Sequence, residues 1–377
     1  MRALTLVSPG KFRWDEQPMP KIVADDDAVV RPFIASRCDG DQIPISAALL
    51  RVMRLGQKGG LLDPVLREAF GPRPYPEPCA IGHECVAEVV EVGPAITSVA
   101  VGDKVVVPYP VSCGQCDACR RGLTGRCATT RRDVLGQERV LSWYGHGHTH
   151  GPYGGMASDF LHVPYANHML KRVPDGLDPF RIAAASDNLS EAWRCTAPHL
   201  QSRKGAKVMV VGGIGQAIGL YAAGIAVTCG AEVDYLDSCP RRLKIAESFG
   251  ARARQRPSLF RFPKPSEFYD VVIDASSVAT GITHAIRSTG TGGTCVVASY
   301  HLGAYTGIPM MHLVLNDINL VVGMNHPGTN LPDVLGWVHE NDFPAEKVTT
   351  EVVDWEDAPK GYGKRTTKLI LHRSPLG

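Results

Sequence analysis

The sequence predicts an α/β protein of two domains, one of which is a doubly wound parallel sheet. The chain has 377 residues, enough for two domains with separate cores. From Lys207 it reads KVMVVGGIGQAIGLYAAGIAVTCGAEVDYLD, in which a β-branched run, a glycine turn, an alanine-rich stretch and a second apolar run follow one another. Residues 113–127, CGQCDACRRGLTGRC, hold four of the eleven cysteines and predict a separate lobe built around a metal.

The composition is that of an ordinary globular chain and excludes several classes of function. Hydrophobic residues make up 44% and charged residues 21% of the sequence. The formal net charge of +2 gives no basic field for nucleic acid. The start, MRALTLVSPGKFRW, lacks the apolar core of a signal peptide, and eleven cysteines suit no disulfide framework. We therefore expect a cytoplasmic protein without a nucleic-acid partner.

One uncharged segment has the length of a membrane span. It covers the 24 residues from Val208 to Ala231. Its VMVV run followed by several glycines is also what a buried strand, a tight turn and a packed helix would give. Because the glycines favour the second interpretation, we expect no membrane partner.

The segment 207–237 predicts a βαβ unit that binds a dinucleotide. Its glycine turn lets a pyrophosphate approach the N-terminus of the following helix. Asp237, 22 residues after Gly215, can accept hydrogen bonds from the adenosine ribose and repels a 2′-phosphate, so NAD is favoured over NADP. Arg241 and Arg242 follow closely and can soften that preference. The expected cofactor contacts in this unit are Gly213, Ile214, Gly215, Gln216, Asp237 and Arg242.

The glycine pattern departs from the usual dinucleotide fingerprint at one position. Ile218 stands where the third glycine is expected, and Gly219 follows it. Further predicted strands, YDVVIDAS (Tyr269–Ser276) and TCVVASY (Thr294–Tyr300), alternate with helical stretches such as Arg241–Phe249. This alternation supports a doubly wound sheet. The alternative is a sheet of this type that binds another ligand.

The four cysteines of residues 113–127 follow the spacing Cys-x2-Cys-x2-Cys-x7-Cys. One dication can neutralise several thiolates and order a loop that has no core of its own. An iron–sulfur cluster is the alternative, but the last gap is seven residues and no proline follows the fourth cysteine. The spacing predicts a structural zinc ion without a catalytic role, held by Cys113, Cys116, Cys119 and Cys127.

This spacing, placed after GDKVVVPY (Gly102–Tyr109), resembles the structural zinc lobe of the zinc-dependent medium-chain alcohol dehydrogenases. The resemblance covers nearly the whole chain. It implies a β-rich, GroES-like catalytic domain formed by residues 1–187 and 324–377. Residues 188–323 would form a Rossmann domain that binds NAD, with the active site in the cleft between the two domains. It also implies a homodimer or homotetramer.

A second, catalytic zinc site is expected from distant residues. Cys38 in SRCDGD and His83 in IGHECVAEVVEVG supply a thiolate and an imidazole, a typical start of a zinc shell that keeps one open position. Asp187 is the third expected ligand, since the resembling family has a cysteine or an acid there; Cys195 is the competing choice. Asp41 and Glu84 are candidates for outer-shell contacts or exchangeable ligation.

Together these features predict an enzyme with two zinc ions per chain. Zinc would act as a Lewis acid on an alcohol or its aldehyde or ketone, and hydride would pass between that substrate and the nicotinamide. The C-terminal TKLIL (Thr367–Leu371) is similar to the family's last strand, where Lys368 matches a basic residue that contacts the pyrophosphate. Alternatives within the same fold are an enone reductase, a polyol or aldehyde dehydrogenase, and a noncatalytic cofactor-binding protein.

Three features depart from the family pattern. Gly40 occupies the position where relatives place a hydroxyl that starts a proton relay, so water, Asp41 or another group must substitute. Extensions cover residues 43–80, with an amphipathic stretch at Ile45–Gly56, and 130–155. The second extension contains three alternating histidines, His146, His148 and His150. They form either a further metal site or proton shuttle, or they are simply solvated. Both extensions predict a specialised substrate.

Overall fold

The computed structural model describes residues 1–71, 74–131, 141–147 and 150–376. Contacts divide the chain into two compact units. Unit 1 comprises Met1–Ser190, Asn325–Glu340 and Thr349–Gly377, and unit 2 comprises Glu191–Met324 and Asn341–Val348.

The strands and helices follow the order of the chain. The strands are β1 (Arg2–Ser8), β2 (Lys11–Glu16), β3 (Ala28–Ser36), β4 (Cys79–Ala80), β5 (Glu84–Val92), β6 (Lys104–Val106), β7 (Leu161–Val163), β8 (Lys171–Arg172), β9 (Lys207–Val211), β10 (Glu232–Asp237), β11 (Arg252–Gln255), β12 (Tyr269–Asp274), β13 (Thr289–Val297), β14 (Asn319–Val321), β15 (Glu351–Asp354) and β16 (Leu369–His372). The helices are α1 (Gln42–Ile45), α2 (Ala47–Lys58), α3 (Val65–Phe70), α4 (Asp117–Arg120), α5 (Ala166–Met169), α6 (Asn188–Leu200), α7 (Gln216–Thr228), α8 (Pro240–Phe249), α9 (Ala279–Ser288), α10 (Met310–Leu315), α11 (Pro327–Glu340) and α12 (Ala358–Gly361).

Unit 1 is built on two sheets. A three-stranded sheet has the order β2-β1-β4, and a seven-stranded sheet has the order β15-β16-β3-β5-β6-β8 with β7 paired to β3. Strand β3 (AVVRPFIAS) is buried at every position except Arg31, as a strand with neighbours on both sides and covered faces requires. Its antiparallel register with β5 sets Ser36 opposite Glu84. The end of β3 and the start of β5 therefore lie at the same edge of the sheet.

The first extension forms an amphipathic helix, as its sequence predicts. Ser46 caps α2 by accepting a hydrogen bond from the backbone N–H of Leu49. Leu50 and Met53 are buried, whereas Val52 is exposed. The helical period therefore places one apolar face against the core of unit 1.

Unit 2 contains the doubly wound sheet. Its six strands are parallel and have the order β11-β10-β9-β12-β13-β14, with the chain reversing direction across the sheet between β9 and β12. Strand β9 lies at the centre because its run VMVV is buried. The prediction of an α/β chain with a doubly wound parallel sheet is confirmed.

The chain returns to unit 2 once more near its C-terminal end. Residues 341–348, which the sequence assigned to the first domain, lie in unit 2. The ring of Phe343 stacks on Phe249 with 5.7 Å between centroids, and Lys347 Nζ donates to the Ser248 carbonyl at 2.8 Å. These contacts explain the difference. Within the described residues, no helix combines the length and apolar character that crossing a membrane requires.

Candidate metal centres and cofactor loop

The four-cysteine lobe consists of Cys113, Cys116, Cys119 and Cys127. The four sulfur atoms lie within 4.8 Å of one another. The sulfurs of Cys116 and Cys127 are 3.8 Å apart, and a zinc tetrahedron with bonds of about 2.3 Å has edges of about 3.8 Å. Helix α4 carries Cys119, and a 3-10 turn at Thr124–Arg126 returns the chain to Cys127. The four sulfurs therefore fit a closed tetrahedral zinc site.

Backbone N–H groups stabilise the thiolates of this lobe. Cys113 Sγ accepts from the amides of Gln115 and Cys116 at 3.4 and 3.3 Å, and Cys116 Sγ accepts from Ala128 at 3.4 Å. Burial raises the pKa of Cys116, but hydrogen bonds from the Cys119 and Ala128 amides outweigh it and lower that pKa to about 6. The loop thus favours the deprotonated, metal-binding form of Cys113 and Cys116, whereas burial raises the pKa of Cys119.

The residues Cys38, His83 and Asp187 form a second cluster, the first triad. Their ligand atoms lie within 4.8 Å of one another. Cys38 follows β3 and His83 precedes β5, so the register of these two strands brings them together. Asp187 immediately precedes α6, and Ser186 ties that turn to β5 by accepting from the Cys85 amide at 3.1 Å. Asp187 Oδ2 is 2.8 Å from Cys38 Sγ and 3.5 Å from His83 Nε2.

Burial and neighbouring carboxylates shift the pKa values of the side chains in the first triad. Burial and the Asp187 carboxylate raise the pKa of Cys38 well above its ordinary value. Burial lowers the pKa of His83, yet Asp41 and Asp187 raise it to about 9. A buried thiol, imidazole and carboxylate in this arrangement suit a dication, because burying such charges without a partner is costly. The donor set therefore fits zinc with an open fourth position.

Cys195 lies fully buried within α6. Its sulfur is 3.5 Å from Glu191 Oε1, one turn earlier in the same helix. Burial raises the pKa of this thiol well above its ordinary value. Within the described residues, the cluster of possible ligands around Cys38 contains Asp187 and not Cys195.

Glu84, predicted to be an outer-shell or exchangeable ligand, is bound on both of its oxygens. Its Oε1 accepts from the Asn188 amide at 2.9 Å, and its Oε2 accepts from Lys368 Nζ at 2.5 Å. Lys368 also donates to Asn188 Oδ1 at 2.9 Å and to the Arg37 carbonyl at 3.0 Å. Its three N–H bonds thus have three acceptors inside unit 1. Contact of Lys368 with a pyrophosphate, which the resemblance implies, stays a prediction.

Asn188, the first residue of α6, is a further functional candidate. Its Nδ2 donates to Cys38 Sγ at 3.2 Å and to Asp187 Oδ2 at 3.1 Å. It therefore orients two residues of the first triad. The only available signal was its position next to Asp187, which does not distinguish a cap from a positioning residue.

Asp41 lies on the other side of His83 from Asp187. Its Oδ1 is 3.7 Å from His83 Nδ1, and its Oδ2 accepts from the Tyr362 hydroxyl at 3.0 Å. A Cβ at Gly40 would meet Cys38 Sγ at 3.8 Å, an ordinary van der Waals contact. The missing hydroxyl at position 40 therefore has no steric cause.

The two described histidines of the second extension, His146 and His150, are buried, contrary to the expectation of solvated side chains. His146 is 7% exposed and His150 is fully buried, while His148 lies outside the described residues. The His146 ring lies 4.7 Å from that of His83, centroid to centroid, and 5.3 Å from that of Trp143. The extension thus contributes an imidazole to the surroundings of the first triad.

In unit 2, the loop between β9 and α7 carries the predicted cofactor contacts. A Cβ at Gly213 would lie 2.6 Å from Ser276 Cα, and one at Gly215 would lie 3.0 Å from the Ala275 carbonyl oxygen. Ile214 is 46% exposed. Helix α7 starts at Gln216, directly after this glycine loop, so the loop lies at a helix N-terminus, where the helix dipole favours an anion. Gly219 packs against Ala275 and thereby takes the role of the third glycine.

Asp237 ends β10 and is fully buried. Arg242 donates to it through Nε at 2.8 Å and Nη2 at 2.7 Å. The Tyr235 hydroxyl at 3.0 Å and the Cys239 amide at 2.9 Å complete four hydrogen bonds. Arg242 Nη1 also donates to Gln216 Oε1 at 3.1 Å. The charge that would repel a 2′-phosphate is therefore paired with a guanidinium.

Comparison with known proteins shows which proteins this chain is similar to. The family model of the alcohol dehydrogenase GroES-like domain matches residues 47–175. The chain is 26% identical to a probable zinc-binding alcohol dehydrogenase of Mycobacterium tuberculosis, over 96% of this chain and 84% of that protein. It is 24% identical to the glutathione-independent formaldehyde dehydrogenase of Pseudomonas aeruginosa, over 96% and 94%. The alcohol dehydrogenase TADH of Thermus sp. ATN1 matches 99% of both chains with a TM-score of 0.78 and 25% identity.

A GroES-like domain joined to a doubly wound sheet is the architecture of medium-chain dehydrogenases, which are oxidoreductases. Residues 47–175 match the alcohol dehydrogenase GroES-like domain, and the chain as a whole is similar to zinc-type, medium-chain alcohol dehydrogenases in sequence and fold.

Proposed function

We propose that the protein is a zinc-dependent oxidoreductase that transfers hydride between an alcohol, or its aldehyde or ketone, and a nicotinamide cofactor. The observation that carries the proposal is the first triad. Three chain segments bring a thiolate, an imidazole and a carboxylate within 4.8 Å of one another. This donor set has the composition of a catalytic zinc shell with one open position.

The protein's own groups prepare that site. Zinc bound there would supply Lewis acidity toward an alcohol or carbonyl oxygen. Asn188 orients Cys38 and Asp187 through its amide, and Lys368 neutralises Glu84 beneath them. In unit 2, α7 begins directly after the glycine loop, and the positive end of its dipole would favour the cofactor pyrophosphate there.

The proposal includes two zinc ions per chain, one in the four-cysteine lobe and one in the first triad. It includes NAD as the favoured cofactor, supported by Asp237, although pairing with Arg242 reduces the repulsion of a 2′-phosphate. It also includes a cytoplasmic location and a homodimer or homotetramer. All eleven cysteines are free thiols, as expected in a reducing compartment.

Two alternatives remain for the reaction. Oxidation of an aldehyde is favoured by the similarity to a protein named as a formaldehyde dehydrogenase. A noncatalytic cofactor-binding role is favoured by Gly40, which supplies no hydroxyl for a proton relay.

The test is NADH formation across alcohols, polyols and aldehydes by the protein and its Cys38→Ser variant. We expect kcat/KM of the variant to fall by more than the roughly 10–100-fold that outer-shell substitutions cost. Titration with NADH and NADPH, followed by fluorescence, should give the same Kd values for both proteins, with NADH bound more tightly. Cys79→Ser is the matched control, because Cys79 is a buried thiol outside both clusters. Normal turnover by Cys38→Ser would contradict the assignment.

A further inference from the structure

A second set of possible ligands lies on the opposite face of His83. It consists of Asp41, His83 and His146, the second triad, whose ligand atoms lie within 4.8 Å of one another. The three side chains are 2%, 3% and 7% exposed. His83 is thus shared by two clusters, with Nε2 toward Asp187 at 3.5 Å and Nδ1 toward Asp41 at 3.7 Å.

The Nδ1 atom of His83 points into this second triad and lacks a hydrogen-bond partner in the described part of the chain. Its distance of 3.7 Å from Asp41 Oδ1 is too long for a hydrogen bond. Two ligands on one tetrahedral zinc ion, with bonds of about 2.0–2.1 Å, lie about 3.3 Å apart. A buried ring nitrogen without a partner, facing a carboxylate across such a gap, is what an ion-binding position requires.

His146 has one ring nitrogen left that could act as a ligand. Its Nδ1 lies 3.0 Å from the Tyr144 carbonyl oxygen, which can only accept, so Nδ1 carries the proton. Nε2 is then the nitrogen with the lone pair. A hydrogen bond from the other ring nitrogen to a backbone carbonyl is the usual support of a metal-binding histidine. If Asp41 served only to orient His83, no second imidazole would be needed beside it.

We propose that Asp41, His83 and His146 form a second site for a divalent transition-metal ion. A neutral imidazole has its lone pair on one ring nitrogen at a time. An ion in either triad therefore leaves the proton of His83 on the opposite nitrogen, facing the carboxylate of the other triad. The two triads therefore compete for a single ion. This competition rests on the proposed function, because it assumes that the first triad binds the catalytic ion. The metal site in the second triad is argued from its own geometry.

The two positions differ in chemistry. The first triad includes a thiolate, whereas the second offers two imidazoles and one carboxylate, a set that accepts zinc and other divalent first-row metals. With the ion in the second triad, Cys38 and Asp187 lack the imidazole that completes their shell. That form of the protein is inactive, so the distribution of one ion between two positions sets the active fraction.

The experiment counts zinc in the full-length protein after equilibration with Zn²⁺ and dialysis. The Cys38→Ala/Asp187→Ala variant removes two ligands of the first triad and keeps the second intact. We expect the unmutated protein and this variant each to hold two zinc ions per chain, one of them in the four-cysteine lobe. Adding His146→Ala to the double variant should leave one, and adding His146→Gln, which keeps more of the volume, should give the same count.

The matched control adds His150→Ala to the double variant instead. His150 packs on the His146 ring with 5.1 Å between centroids but is outside the second triad, so two zinc ions should remain. Circular dichroism melting verifies that every variant is folded. One zinc ion in the double variant, no effect of either His146 substitution, or three ions in the unmutated protein would overturn the proposal. Two ions in an unmutated protein that shows no turnover would instead count against the proposed function alone.

Discussion

The four-cysteine lobe and the first triad use related ligands but are assembled in different ways. The lobe takes its four sulfurs from fifteen consecutive residues, 113–127, folded into a short helix and a turn. The first triad joins Cys38 to Asp187, which is 149 residues away, and depends on the β3–β5 register to place His83 between them. The lobe is thus organised by its own backbone, whereas the triad is organised by the sheet.

The two clusters also differ in how the protein treats a thiol. In the lobe, backbone N–H groups lower the pKa of Cys116 to about 6. In the triad, burial and neighbouring carboxylates raise the pKa of Cys38 well above its ordinary value. The lobe therefore stabilises its thiolates in part without an ion. The triad would instead need a dication to hold its thiolate, which is what the proposed catalytic site with an open position requires.

The largest expected effect comes from opening the lobe with Cys127→Ser. Structural zinc contributes about 10–16 kcal/mol of binding free energy in zinc-finger peptides, and loss of a third of this would be about 4 kcal/mol. At about 2–4 °C per kcal/mol for a domain of this size, the melting temperature should fall by about 10 °C. Zinc analysis should show one ion lost and one retained.

Cys229→Ser is the control for this variant, since Cys229 is a half-buried thiol outside the metal clusters of the described residues. It should keep both ions and melt as the unmutated protein does. An unchanged melting temperature in a Cys127→Ser protein that has lost its zinc would show that the lobe does not depend on the ion.

The contrast between the clusters also explains what the sequence could predict. Local spacing was sufficient to assemble the four-cysteine lobe, and the β-branched run and glycines from Lys207 predicted the parallel sheet. The first triad needed the order of motifs along a related family. No local pattern reports that Lys368 reaches Glu84 or that His146 lies beside His83, because each contact joins segments brought together only by the fold. The sequence also predicts that Asp237 binds the ribose, but it does not report the four hydrogen bonds that this carboxylate accepts from the protein.

The next effect concerns the buried pair beneath the first triad. Lys368→Met leaves the Glu84 carboxylate without its ammonium partner, and both side chains are fully buried. Breaking such a pair typically costs about 3–5 kcal/mol. We expect about 3 kcal/mol in denaturant unfolding, because the Asn188 amide still binds the other carboxylate oxygen.

Glu84→Gln/Lys368→Met is the matched double variant, and it should recover part of this loss because no buried charge remains. Equal destabilisation in both variants would contradict the importance of the ion pair. NADH affinity separates the two roles of Lys368: an unchanged Kd in the single variant supports a role confined to unit 1. A large increase in Kd would support the pyrophosphate contact that the family resemblance implies.

The smallest effect is a difference in thiol reactivity after zinc is removed by a chelator. Iodoacetamide reacts with the thiolate, so modification of Cys116 should accelerate as the pH rises through about 6 and level off above it. Cys38, 8% exposed and with a raised pKa, should stay nearly unreacted over the same range. Peptide mass spectrometry at timed intervals measures both sites in one sample. The result that would contradict this is a Cys116 modification rate whose pH midpoint lies near the ordinary thiol pKa of about 8.5. The backbone amides would then not stabilise the Cys116 thiolate once the ion is gone. In that case the lobe and the triad would not differ in how they hold a thiolate.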